Sequence, residues 1–318
     1  MSHVEHLSQL YGLPVFDFPD AEPEKELPEA GAVAWRLAVD PYGDTSDEEF
    51  GDRWDRFLDT VDPAGVRAIV VGPWGEVYDH DSSVIVRRLV DAHAELAGLR
   101  AVFLGDLEQE EAEISWIEHA DVTPVLAAFP LLEEFGVRGG SGLRFPAVSH
   151  RALRTLWFEA GGLPGHVVRG VAASQLPALE HLELWLGVNA YGGNATVADL
   201  APLLAGGLFP ELRHLGVRNS EIQDEIAAAV AAAPVVAQLT SLDLSLGVLT
   251  DDGATALLDG QPLTHLDSLD LRHNYVTDPV ARRIQAALEP HGVEVDLSET
   301  GQEWDDDGEI HRFTAVAE

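Results

Sequence analysis

Large aliphatic residues recur along the chain in one frame, with apolar side chains at positions one, four and six. The clearest copies are Leu179-x-x-Leu182-x-Leu184, Leu212-x-x-Leu215-x-Val217, Leu239-x-x-Leu242-x-Leu244 and Leu266-x-x-Leu269-x-Leu271. Looser copies start at Val66, Leu99, Leu132 and Leu153, and degenerate ones at Ala34 and Gly292. Starts are spaced by 21 to 33 residues. The alternation at positions four to six predicts a strand with one buried face. A helical pattern follows each frame. In the ninth unit Thr277 and Asp278 are N-cap candidates, Pro279 suits the first helical turn, and Ala281, Ile284 and Leu288 share a face. One strand and one helix cannot bury their own apolar faces, whereas stacked copies can. The expected fold is α/β, a solenoid of about ten strand–helix units with a parallel concave sheet.

Stacking fixes which side chains become neighbours. Positions three, five and seven of every frame point away from the buried pair and line the concave face. Read from its start at Ala34, the first frame puts Ala38 and Asp40 there. The middle units put Arg138, Trp157, Glu183, Trp185 and Arg218 there, with His181 and His214 at position three. Tryptophan and arginine dominate interface energetics, so Trp157 and Trp185 are expected as apolar anchors and Arg138 and Arg218 as donors. Asp243, Asp270, Glu294 and Asp296 continue as an acidic stripe relieved by Arg272. Such a stripe suits a basic protein or peptide. It also suits mere solvation in a chain that is acidic throughout.

The unit Leu266-x-x-Leu269-x-Leu271-x-x-Asn274-x-Val276-Thr277-Asp278 resembles a leucine-rich repeat of the ribonuclease-inhibitor type. The resemblance spans about residues 32–298. Only Asn274 keeps the asparagine of that pattern; Gly161, Gly187, Ser220 and Gly247 replace it elsewhere. The whole chain resembles a bacterial family of such proteins with no assigned activity. The matching segments are Gly12-Leu13-Pro14-Val15-Phe16-Asp17-Phe18-Pro19, Glu113-Ile114-Ser115-Trp116-Ile117 and Thr314-Ala315-Val316. The resemblance implies a non-catalytic scaffold that holds a protein or peptide on its concave face. Members encoded beside radical-chemistry enzymes imply an alternative, an accessory subunit that holds substrate for a modifying enzyme.

Composition narrows the partners. The 318 residues carry a net charge of −36, which repels nucleic acid and anionic membranes. There is no cysteine, which removes disulfides and thiolate chemistry and suits a reducing cytoplasm. Lys25 is the only lysine and sits in no phosphate-binding loop. The first residues lack the basic and apolar regions of a signal peptide. The longest apolar run, Ile226–Ala237, is too short to cross a bilayer. Residues 1–31 are expected as an N-terminal arm, 32–298 as the solenoid and 299–318 as an acidic tail.

Two long loops, 105–121 and 187–196, flank the face; Ile114, Trp116 and Ile117 are expected to dock the first of them. Glu303-x-Asp305-x-Asp307-Gly308 imitates a calcium loop without its twelfth-position glutamate. His181 and His214, one repeat apart with Glu183 nearby, are the closest strand-paired histidines, and they would be the ones to share a metal or to serve a hydrolase. No metal motif spaces them, so neither a metal nor a cofactor is expected.

Overall fold

The computed structural model describes residues 4–20, 27–40, 48–306 and 308–318. Met1–His3, Lys25 and Asp307, which enter the expectations above, lie outside the described residues.

Twelve strands form one sheet in strict sequence order. They are β1 (Gln9–Leu10), β2 (Leu13–Asp17), β3 (Ala34–Leu37), β4 (Ala68–Val71), β5 (Ala101–Leu104) and β6 (Glu134–Arg138). There follow β7 (Thr155–Glu159), β8 (His181–Gly187), β9 (His214–Ser220), β10 (Ser241–Asp243), β11 (Ser268–Asp270) and β12 (Glu294–Asp296). Among the described residues of this sheet the β1–β2 pair is antiparallel and every other pair parallel. Consecutive parallel neighbours are the signature of a solenoid, since each connection must return along the same side. A separate hairpin, β13 (Trp304–Asp306) and β14 (Glu309–His311), lies near the C-terminus.

The connections carry helices α1 (Phe50–Thr60), α2 (Ser83–Asp91), α3 (Thr123–Ala128), α4 (Gly165–Ala172), α5 (Val197–Leu204), α6 (Gln223–Val230), α7 (Asp251–Asp259) and α8 (Asp278–Leu288). Their apolar stripes pack on the position-four and position-six side chains, as Val280, Ile284 and Leu288 do from α8. Thr250 and Thr277 are the N-caps of α7 and α8. Each also reaches back one repeat, Thr250 to Asp224 and Thr277 to Asp251, both through backbone N–H and hydroxyl. These bonds tie successive helices at a constant spacing.

The pairing shows the repeat directly. Ile69, Val102, Phe135, Leu156, Leu182, Leu215, Leu242, Leu269 and Val295 stand in one row. The first frame is the exception. Trp35 pairs with Ile69 and Arg36 with Val70, so this frame begins at Ala32 and not at Ala34. Arg36, not Ala38, therefore takes position five. Tryptophan at the aliphatic position hid the true phase.

The chain's ends fold back onto this scaffold. On the concave side Leu10 is buried against Ala34, Ala68, Val70, Ala101 and Phe103, with Leu7, Tyr11 and Leu13 beside it. The expected arm thus supplies β2 to the sheet edge and covers the first repeats. The C-terminal tail docks through Asn219, a residue with positive φ near the end of β9. Asn219 accepts from the Val316 N–H and donates to the Val316 and Ala160 carbonyls. Gly161 makes room, because a Cβ there would strike the Ala317 carbonyl oxygen. Asn219→Ala is expected to cost about 1–3 kcal/mol, since it strands buried backbone groups. Hydrogen exchange should show faster exchange at Val316; unchanged protection would contradict the anchoring role.

Candidate functional site

The N-terminal half of the concave face is closed by the chain itself. Position-five residues Val70 and Phe103 are fully buried there. Asp106 and Glu134 accept the N–H groups of Leu7 and Tyr11, while Arg138 donates to the Glu5 carbonyl. The arm's hairpin and the residues leading into it are thus held by apolar contacts and by carboxylates that accept amides.

The C-terminal half is open and polar. The parallel register aligns His181 with His214 and Glu183 with Gly216. The two imidazoles stack with centroids 3.9 Å apart and planes 4° apart. Their Nε2 atoms lie 3.7 and 3.8 Å from Glu183 Oε2. Glu183 Oε1 accepts from Trp185 Nε1 and Arg218 Nη1, each at 2.6 Å. Burial alone would push the Glu183 carboxyl up; the two imidazoles, the Arg218 charge and the Trp185 N–H outweigh it and hold it well below the usual carboxylate range. Ser241 bonds His214 Nδ1 and accepts in turn from Ser268, fixing the ring.

The acidic stripe follows on the next strands. Asp243, Asp270 and Asp296 pair in register, about 4.8 Å apart as neighbouring strands dictate. Each folds one oxygen onto the N–H two residues ahead, at Ser245, Arg272 and Ser298. Asp243 is paired with Arg218 at 3.1 Å and Asp270 with Arg272 at 3.4 Å. Burial and then the neighbouring Asp243 charge push Asp270 up to about 6. Burial also pushes Asp243 up. Burial is the main cause of both shifts; at Asp270 the neighbouring Asp243 charge adds to it.

The expected cluster of two exposed indoles does not form. Trp157 lies back across β6 and stacks on Phe103, with centroids 5.5 Å apart. Gly136 permits this, because any Cβ there would strike both rings. Trp185 is buried among Val4, Ile114, Leu246 and Val316, with Arg218 over its ring. Position five of one repeat and position seven of the next are offset by two residues, so the rings take different partners. Arg138 and Arg218 are buried too, and serve internal pairs with Glu159, Glu183 and Asp243. Arg272 is the partly exposed arginine of the expected set. A cavity of about 240 Å³ remains between Arg138, Trp185, Arg218 and Arg272.

Three residues that organise this face carry no motif. Arg36 was masked by the frame phase; the alternation Trp35-Arg36-Leu37 is its only signal. Asp106 sits just beyond β5 and Asn219 at position eight of its frame, near the end of β9, where the apolar pattern specifies nothing. In the loop 105–121, Ile114 and Ile117 dock as expected, whereas Trp116 is 54% exposed. Of the calcium-like segment, Trp304–Asp306 form β13, and Asp305 accepts from the Gly308 N–H.

The architecture is that of a leucine-rich repeat solenoid. Residues 238–258 match the family model described as leucine rich repeat. A protein from Bacteroides fragilis, known from its crystal structure, superposes with a TM-score of 0.79 and is 31% identical. The match covers 88% of this chain and 76% of that one. The chain belongs to the same leucine-rich repeat family as this Bacteroides protein. No functionally curated protein matches it.

Proposed function

We propose that the chain is a non-catalytic scaffold of the ribonuclease-inhibitor type that holds an extended basic peptide, or a basic segment of a protein, on the open half of its concave face. One observation carries this reading. The closed half already holds the hairpin of the chain's own arm, and the open half continues the same sheet with the in-register carboxylates Asp243, Asp270 and Asp296. Leucine-rich repeats generally mediate protein interactions, and concave solenoid faces are their usual binding surface. Asp270, Asp296 and Glu294 supply the attraction, His181 and Arg272 the rim, and Glu183 and Asp243 the buried base. Trp157, Trp185, Arg138, Arg218 and His214 shape the floor in place of contacting the partner. The net charge of −36 extends the attraction for basic partners and disfavours nucleic acid and anionic membranes. Among the described residues no helix is long and apolar enough to cross a membrane. The absence of cysteine fits work in a reducing cytoplasm.

Fluorescence anisotropy with a labelled ten-residue Arg/Lys-rich peptide tests the reading. Binding should weaken with salt and be absent for an acidic peptide. Asp270→Asn and Asp296→Asn should each weaken it about fivefold, the worth of roughly 1 kcal/mol per screened pair. Equal affinity for the wild type and both variants would refute it.

A further inference from the structure

His181, Glu183 and His214 come from two adjacent strands, 33 residues apart for the histidines. Their three donor atoms lie within 4.8 Å of one another. The two separations to Glu183 Oε2, 3.7 and 3.8 Å, are too long for hydrogen bonds. His214 Nε2 is fully buried and has no hydrogen-bond partner. The His214 Nε2 thus faces the Glu183 carboxylate with its hydrogen-bonding capacity unused. Zinc bonds of about 2.0–2.1 Å put tetrahedral ligand atoms about 3.4 Å apart. Seating an ion there takes a turn of the partly exposed His181 ring out of its parallel stack on His214, because imidazole lone pairs lie in the ring plane and those of parallel rings do not converge.

The surroundings are those of a supported site. Ser241 fixes the His214 ring through Nδ1. Trp185 and Arg218 occupy Glu183 Oε1 and leave Oε2 as the free donor. Such outer partners orient metal ligands. Arg218 adds an opposing positive charge, which its pairing with Asp243 offsets. Two imidazoles and a carboxylate are the donor set of zinc and its transition-metal neighbours, and are too nitrogen-rich for calcium or magnesium.

We infer that His181, Glu183 and His214 form a binding site for one divalent transition-metal ion of the zinc class, with the partly exposed His181 side leaving a coordination position open to solvent. The two histidines carry no recognisable spacing because the repeat, and not a local motif, brings them together. The site is independent of the peptide reading, since it is probed with metal alone.

The test uses full-length protein without a histidine tag, stripped with chelator. Cobalt(II) is titrated while the visible spectrum is recorded. One equivalent should produce the intense bands of four- or five-coordinate cobalt, and zinc should abolish them. His181→Ala, on a partly exposed side chain whose loss leaves the core intact, should weaken binding at least about tenfold, and His214→Ala likewise. His291→Ala, distant in the chain, should change nothing. Circular dichroism confirms that each variant is folded. Absence of stoichiometric binding, or binding unchanged in folded His181→Ala, overturns the inference.

Discussion

Asp106→Asn is expected to lower the unfolding free energy by about 3–5 kcal/mol, the range found when one partner of a buried ionic cluster is removed. The Asp106 side chain is fully buried. One oxygen accepts from the Leu7 N–H at 2.9 Å and lies 3.8 Å from Arg138 Nη1. The other accepts from Arg36 Nε at 2.7 Å and lies 3.2 Å from His6 Nδ1. One carboxylate thus joins the arm, the first repeat and the fourth. Asparagine keeps the shape but leaves Arg36 and Arg138 with less compensation inside the protein, and turns an N–H toward a donor. Burial alone would push the Asp106 carboxyl up; His6, the Leu7 amide and the two arginines reverse this and hold it below its ordinary 3.8. The stabilisation is therefore present above pH 3.8 and is lost as pH falls through the lower folded value. Denaturant unfolding at pH 7 measures the loss, and proteolysis of the arm should accelerate in parallel. A variant within 1 kcal/mol of wild type would show that Asp106 is not the junction described.

Asp270→Asn works in the opposite direction and is expected to stabilise the protein by about 1–3 kcal/mol at pH 7.5. Asp270 faces Asp243 and Asp296 on the flanking strands, with Arg272 and Arg218 as the nearby positive groups. Its carboxyl is pushed from 3.8 to about 6 by burial and by Asp243. A raised acid value means that the folded state holds its proton more tightly than the unfolded chain. Its favourable contribution is complete below pH 3.8 and disappears as pH rises through about 6. Asparagine removes the charge that causes the loss. It keeps an oxygen for the Arg272 N–H, which Asp270 accepts at 2.9 Å. The advantage of the variant should fade as pH is lowered toward 4. Equal stability at pH 7.5, or an advantage independent of pH, would contradict this account. The same substitution should weaken the basic peptide, so a variant that gains stability and loses affinity separates the binding role from folding.

The legible part of the site follows from register. Once the frames at Leu179 and Leu212 are aligned, His181 must stand beside His214 with Glu183 close by, because parallel strands keep corresponding residues abreast. The frame also gives the acidic ladder Asp243–Asp270–Asp296 directly. It says nothing about which concave positions stay open. Trp185 reads as an exposed anchor until Val4 and Val316, from opposite ends of the chain, are found against it. Arg138 reads as a free donor until Glu159 and the Glu5 carbonyl take its nitrogens.

The sequence alone determined the repeating strand and helix, the face each side chain takes and the neighbours one repeat away, because apolar periodicity and strand alternation are local consequences of backbone geometry. Only the tertiary structure decided that the arm closes the first half of the concave face, that the tail seals Trp185 and that Asp106 and Asn219 hold these ends in place. Those contacts join residues about 100 positions apart, such as Leu7 with Asp106 and Asn219 with Val316. No period in the chain encodes such pairs; they form because exposed apolar rows at the ends of a solenoid must be buried by whatever segment lies within reach.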